Sequence, residues 1–134
     1  MRGSPHHNGL ALRAANVARP RGCRLEAEAR VPGSADAVDL LLTTPKGRRV
    51  VVEVALSPAR ARWYVLKARR LGADVVVIIT LAACCRTVLR VLRRAPSVFR
   101  LPSLRVFVLD ETSLEQGLAQ VLDSVPPPRG REKQ

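Results

Sequence analysis

Residues 39–55, DLLLTTPKGRRVVVEVA, constrain the fold more than any other stretch of the chain. Two apolar runs flank Pro45-Lys46-Gly47, which has the chemistry of a three-residue hairpin loop: Pro45 sets φ for the turn and Gly47 takes the left-handed position. If Thr44 faces Arg48, Leu42 faces Val50 and Asp39 faces Glu53, with opposed Cβ atoms roughly 4.5–5.5 Å apart. Period-two alternation then places both carboxylates on one face, beside Leu41 and Val51, with Ala37 and Ala55 as the next pair. Two like charges in such surroundings destabilise a sheet and push one pKa upward unless a cation lies between them. A divalent ion such as Mg2+ or Mn2+ resolves the conflict, because it is held by one or two carboxylates together with waters and phosphate oxygens. A loop of another length would slip the register by one residue and invert a face, leaving Asp39 at a strand end and Glu53 paired with an arginine.

The rest of the pattern builds around this hairpin. Asn8 is expected to cap a helix running to about Arg19, with Leu10, Ala14 and Val17 on one face, stopped by Pro20 and Gly22. From Cys23 to Val31 the residues alternate strictly. Cys23, Leu25, Ala27, Ala29 and Val31 fall on one face, and Arg24, Glu26, Glu28 and Arg30 on the other, as in a half-exposed strand. After the hairpin, Ser57 and Pro58 open a helix to about Leu71, closed by Gly72. Residues 73–80 form a β-branched run suited to a strand covered on both faces. A helix over 82–94 ends at Pro96. A strand over 104–109 leads to a helix over 113–125, where Ser113 and Gln116 have capping-box spacing. The pattern predicts an α/β fold with a mixed sheet: an antiparallel three-strand meander, then helix–strand crossovers. A single domain over 8–125 is expected, with flexible tails at 1–7 and 126–134.

At the hairpin and the elements after it, the sequence resembles the PD-(D/E)XK nuclease superfamily, which includes restriction enzymes and archaeal Holliday junction resolvases. In that family an Asp opening one hairpin strand is followed on the next by Glu-x-Lys, and the sheet continues through a helix into another strand. Asp39-Leu40-Leu41-Leu42, Glu53-Val54-Ala55 and the strand at 73–80 occupy those places, and the resemblance covers roughly residues 8–80. It implies a restriction-endonuclease-like sheet with helices on both faces, metal held by Asp39 and Glu53, and phosphodiester hydrolysis. The family lysine falls at Ala55. Arg60, Tyr64, Lys67 and Leu71 share one helical stripe, so Lys67, or else Arg60, is the expected substitute. The family's additional acid has no counterpart in residues 8–19, and Glu28 is the strand residue that resembles it. Asp36 competes with Asp39 for the metal position, but its spacing to Glu53 is too long for the opposed pairing.

Charge supplies the partner. The chain carries a formal +12, and residues 54–109 hold eleven Lys/Arg against one acid, Asp74. Such a field suits a polyanion, and nucleic acid above all. Arg86, Arg90, Arg93 and Arg94 form one cationic stripe opposite Cys85, Val88, Leu89 and Leu92, and with Arg60 and Arg62 they are the candidate DNA contacts. The same arginine usage also suits the surface of a heat-adapted protein. Aromatic content of 3% disfavours a single-strand stacking platform, so duplex or branched DNA is the expected ligand.

Three cysteines without metal-ligand spacing suggest buried thiols in a reducing cytoplasm. The start, MRGSPHHNGL, has no apolar signal core, partly resembles an affinity-tag leader, and reads as a tail, with His6 and His7 outside the chemistry. The longest uncharged apolar stretch is too short to cross a bilayer. The expectation is a small Mg2+- or Mn2+-dependent DNA endonuclease acting as a homodimer. Two alternatives stand beside it: an inactive nuclease-fold DNA-binding or scaffold subunit with a protein partner, and a basic RNA-associated module in which the two acids are structural.

Overall fold

The structure is a computed structural model that describes residues 4–95 and 104–125. Pro96, the expected helix stop, and the tail at 126–134 lie outside the described residues. The elements are α1 (Pro5–Ala18), β1 (Arg24–Arg30), β2 (Ala37–Thr43), β3 (Arg49–Ala55), α2 (Ala61–Arg70), β4 (Val75–Thr80), α3 (Cys85–Arg93), β5 (Arg105–Asp110) and α4 (Leu114–Ser124). They build one five-stranded sheet in the order β1-β2-β3-β4-β5. The first three strands pair antiparallel, as the short connections between them allow. β3–β4 and β4–β5 are parallel, each pair joined through a helix.

The hairpin register is the one its loop chemistry implies. Gly47 adopts φ 87°, and Thr44 N–H donates to Arg48 O at 2.8 Å. The ladder therefore pairs Thr43 with Arg49, Leu42 with Val50, Leu41 with Val51 and Leu40 with Val52. One hydrophobic cluster lies between the sheet and α1 and α4; Leu10, Ala14, Leu42, Val52, Leu114 and Leu118 belong to it. The other, with Val51, Val65, Val76, Ile78, Val88 and Leu92, lies beneath α2 and α3. Every residue of β4 is buried, so its β-branched side chains serve both clusters in alternation, each contributing roughly 1.5–3 kcal/mol of transfer free energy.

Three expectations are corrected. First, α1 begins at Pro5, not after Asn8: Ser4 is the N-cap and its hydroxyl accepts from His7 N–H at 3.2 Å, so His7 lies in the first helical turn and not in a tail. Second, the alternation of β1 does not keep one face. Cys23 and Leu25 pack on the α1 side, Ala27 is exposed, and Ala29 and Val31 pack on the α2 side. The break falls at Glu28, whose φ of 49° is left-handed and turns the side chains beyond it to the other side. Third, Ser113 makes no side-chain cap. Its N–H and hydroxyl bond instead to Asp110, whose carboxylate also accepts from Thr112. The acid at the end of β5 thus takes the local bonds that a capping box would have used. No helix among the described residues is long and apolar enough to cross a membrane.

Candidate functional site

The β2–β3 ladder stops at Leu40 and Val52, and the two acids lie immediately beyond it. Strand-to-strand backbone bonding there gives way to side-chain bonding across the gap. Asp39 N–H donates to Glu53 Oε1 at 3.0 Å, and Val54 N–H donates to Asp39 Oδ2 at 2.7 Å. Each carboxylate thus satisfies a backbone donor of the neighbouring strand, which fixes both acids in place. Asp39 also marks a change of side within β2: Leu40 and Leu42 pack toward α1, whereas Val38 packs toward α2. Its position across the sheet corresponds to the left-handed Glu28 of β1, between the pairs Ala27–Leu40 and Ala29–Val38.

Lys67 completes the cluster from α2. Its ammonium lies 2.7 Å from Glu53 Oε2 and donates to Ala37 O at 2.9 Å. The directed hydrogen bond goes to the carbonyl. The contact with Oε2 is close but off-axis, and that oxygen is buried without a well-directed donor. Tyr64, one turn earlier, lies under the ammonium at 5.1 Å from the ring centroid. Lys67 is 7% exposed and Glu53 1%, so both partners have been taken out of water. Burial raises the Glu53 carboxyl to about 7; Lys67 pulls it down and Asp39 pushes it further up, with burial the largest influence. Burial, then the Glu53 and Asp39 charges, also raises the Tyr64 phenol.

These groups open onto a cavity of about 470 Å³ lined by Asp36, Asp39, Glu53, Arg60, Trp63 and Lys67, among others. Asp36 borders it, but its Oδ2 accepts from Ser34 Oγ at 3.0 Å within a local turn. Arg60 stands at the rim, exposed, in the short 3₁₀ turn that precedes α2. Trp63 shares the wall, and the Arg70 guanidinium sits over its ring at 5.3 Å. Glu28 is exposed and lines a different, largely apolar cavity of about 380 Å³ between α1 and the β1–β2 edge. Arg62 is exposed on α2. Arg86, Arg90, Arg93 and Arg94 are exposed together along α3 and its end, around Leu89.

One site residue escaped the sequence reading. His7 Nε2 lies 3.1 Å from Asp39 Oδ2, on the wall shared by both cavities. The signal that could have found it is Ser4-Pro5, a helix-opening pair placed before the histidines.

Among the described residues no group of three or more His, Cys, Asp or Glu is arranged to hold a metal ion. What the chain presents is two adjacent carboxylates facing an open polar cavity. That donor set suits Mg2+ or Mn2+ in the mode where water and substrate oxygens fill the other positions. No protein-family model matches the chain, and no curated protein matches it.

Proposed function

We propose that the chain is a metal-dependent endonuclease of PD-(D/E)XK type, hydrolysing phosphodiesters of duplex or branched DNA on a restriction-endonuclease-like scaffold. The observation that carries this reading is the convergence of Asp39, Glu53 and Lys67, from three different elements, on one open cavity. Asp39 and Glu53 would hold Mg2+ or Mn2+, which when bound supplies a Lewis acid and a more acidic water. Lys67 stands in for the lysine absent at Ala55. Its ammonium reaches the acids from the helix instead of from β3, close to where phosphate charge would develop. Arg60 at the rim is placed to meet a phosphate oxygen. Arg62 and the α3 arginines extend the positive surface for the backbone beyond, and Glu28 is kept as the candidate additional acid. A homodimer is the expected cutting unit, one site for each strand.

A second reading is favoured by one observation: Ala55 is fully buried where the family carries its lysine, and Lys67 is already committed to Glu53. On that reading the chain is an inactive DNA-binding or scaffold subunit. Incubating the protein with duplex, flap and four-way DNA in Mg2+ or Mn2+, beside Asp39→Ala and Glu53→Ala, separates the two. Cleavage by the parent protein, reduced at least ~10²-fold in both variants with DNA binding retained, supports the nuclease. Tight binding without cleavage in either metal supports the inactive subunit.

A further inference from the structure

Among the described residues, Glu28 is the only one other than glycine whose φ is positive. A left-handed backbone is costly for a residue with a Cβ, which crowds the following carbonyl. No turn or helix end accounts for it here, since Glu28 lies well inside β1. The β1–β2 ladder runs from Arg24–Thr43 to Ala27–Leu40, skips the pair Glu28–Asp39, and resumes in the same register at Ala29–Val38. Both strands change sides at the skipped pair. Leu25, Leu40 and Leu42 pack toward α1, whereas Ala29, Val31 and Val38 pack toward α2.

The consequence falls on Asp39. Unbroken alternation along β2 would set its side chain on the α2 side with Leu41. The carboxylate lies instead across the gap between β2 and β3, where Oδ2 accepts from Val54 N–H at 2.7 Å, and it borders the polar cavity beside Glu53. Of the two strands only β1 carries a left-handed residue, so β2 turns by following its neighbour through the pairs on either side. The Glu28 carboxylate itself is exposed and lines the other cavity. Backbone strain of this kind persists only where the surrounding structure enforces it, and it gathers at sites arranged for use.

We infer that Glu28 is a positioning residue: its left-handed backbone, independently of its carboxylate, turns Asp39 out of the α2 face toward Val54 and the cavity. The inference rests on the reading of Asp39 as part of the reacting site and adds to it what sets the direction of that side chain.

The test compares Glu28→Gly, which accepts a left-handed backbone, with Glu28→Thr and Glu28→Val, whose β-branched side chains resist it. All three lack the carboxylate, so differences among them report the backbone. Heteronuclear NMR of the full chain follows the Val54 amide, and Asp39→Ala supplies the position of that signal when the bond is lost. The expected result is a parent-like Val54 amide in Glu28→Gly, which melts at or above the parent. In the Thr and Val variants the Val54 amide moves toward its Asp39→Ala position, while the amides of Leu42 and Val50, further along the same sheet, stay in place. In DNA cleavage, kcat of the β-branched variants falls about 10- to 10²-fold below that of Glu28→Gly at similar KM, the cost of a small misplacement of a reacting group. A Val54 amide that stays in place in the β-branched variants, or is displaced equally in Glu28→Gly, overturns the inference. So does Glu28→Gly melting well below the parent, which decides the matter if neither β-branched variant folds. No cleavage by the parent, with the Val54 pattern as expected, overturns the nuclease reading and leaves the positioning of Asp39 standing; cleavage by the parent with an unmoved Val54 amide does the reverse.

Discussion

Replacing Lys67 by Met should destabilise the protein in a pH-dependent way, and the structure bounds the size of the effect. Methionine keeps most of the stem's apolar packing and removes the cation beside Glu53. The folded-state Glu53 carboxyl is raised from 4.5 to about 7, so the folded chain holds a proton that the unfolded chain releases. Stability from this group is therefore fully present below about pH 4.5 and is lost as pH rises through about 7, a total on the order of 3 kcal/mol. Without Lys67, which lowers that carboxyl, Glu53 holds its proton to still higher pH. At pH ~5.5 Glu53 is largely protonated with or without the lysine, and the variant loses mainly the bond to Ala37 O, about 1–3 kcal/mol. At pH ~8.5, about 1.5 pH units above the value of about 7 at which the parent's Glu53 ionises, a variant that keeps its proton is weaker by up to about a further 2 kcal/mol. The penalty is capped there, since Glu53 can remain neutral instead of standing as a bare buried charge. Urea unfolding followed by circular dichroism at both pH values measures it, with Glu53→Gln/Lys67→Met as control. Equal destabilisation by Lys67→Met at the two pH values, or a pH-dependent deficit that persists in the double variant, would refute the reasoning.

Other parts of the structure give their own tests. Arg90→Ala/Arg93→Ala should lower the slope of log DNA affinity against log salt by up to about 2, measured by fluorescence anisotropy, because each arginine lost from a phosphate releases roughly one counterion fewer. Gly47→Ala, which places a Cβ at φ 87°, should cost about 1–2 kcal/mol in urea melts. Leu42→Ala removes a fully buried side chain of the α1-side cluster and should cost about 2–5 kcal/mol.

The hairpin shows why much of this fold is readable from residues alone. Its register depends on a loop three residues long, and the conformations of Pro45 and Gly47 are local properties of those residues. The same holds for the element order, since the hydrophobic periods of β4, α2 and α3 are each contained within a single element. Lys67 was reachable because a helical stripe is also a local relation. The start of α1 was missed because Asn8 is as good a cap as Ser4 by residue type, and the choice between them moved His7 from a tail into the site. The switch of sides in β1 was missed because Glu28 has no residue-type reason to be left-handed.

By itself, then, the sequence determined the register of the β2–β3 hairpin, the helix faces and the closeness of Asp39 to Glu53, all set by dihedral preference and periodicity over a few residues. Tertiary structure alone decided that the hairpin ladder ends at Leu40 and Val52, that Lys67 meets Glu53 while bonding Ala37, and that His7 reaches Asp39. Those contacts join residues 12 to 32 positions apart and follow from how α1 and α2 settle on opposite faces of one twisted sheet. Burial is equally a property of the assembled layers: only when α2 covers β3 does Glu53 leave water, and only then does its carboxyl hold a proton to about pH 7.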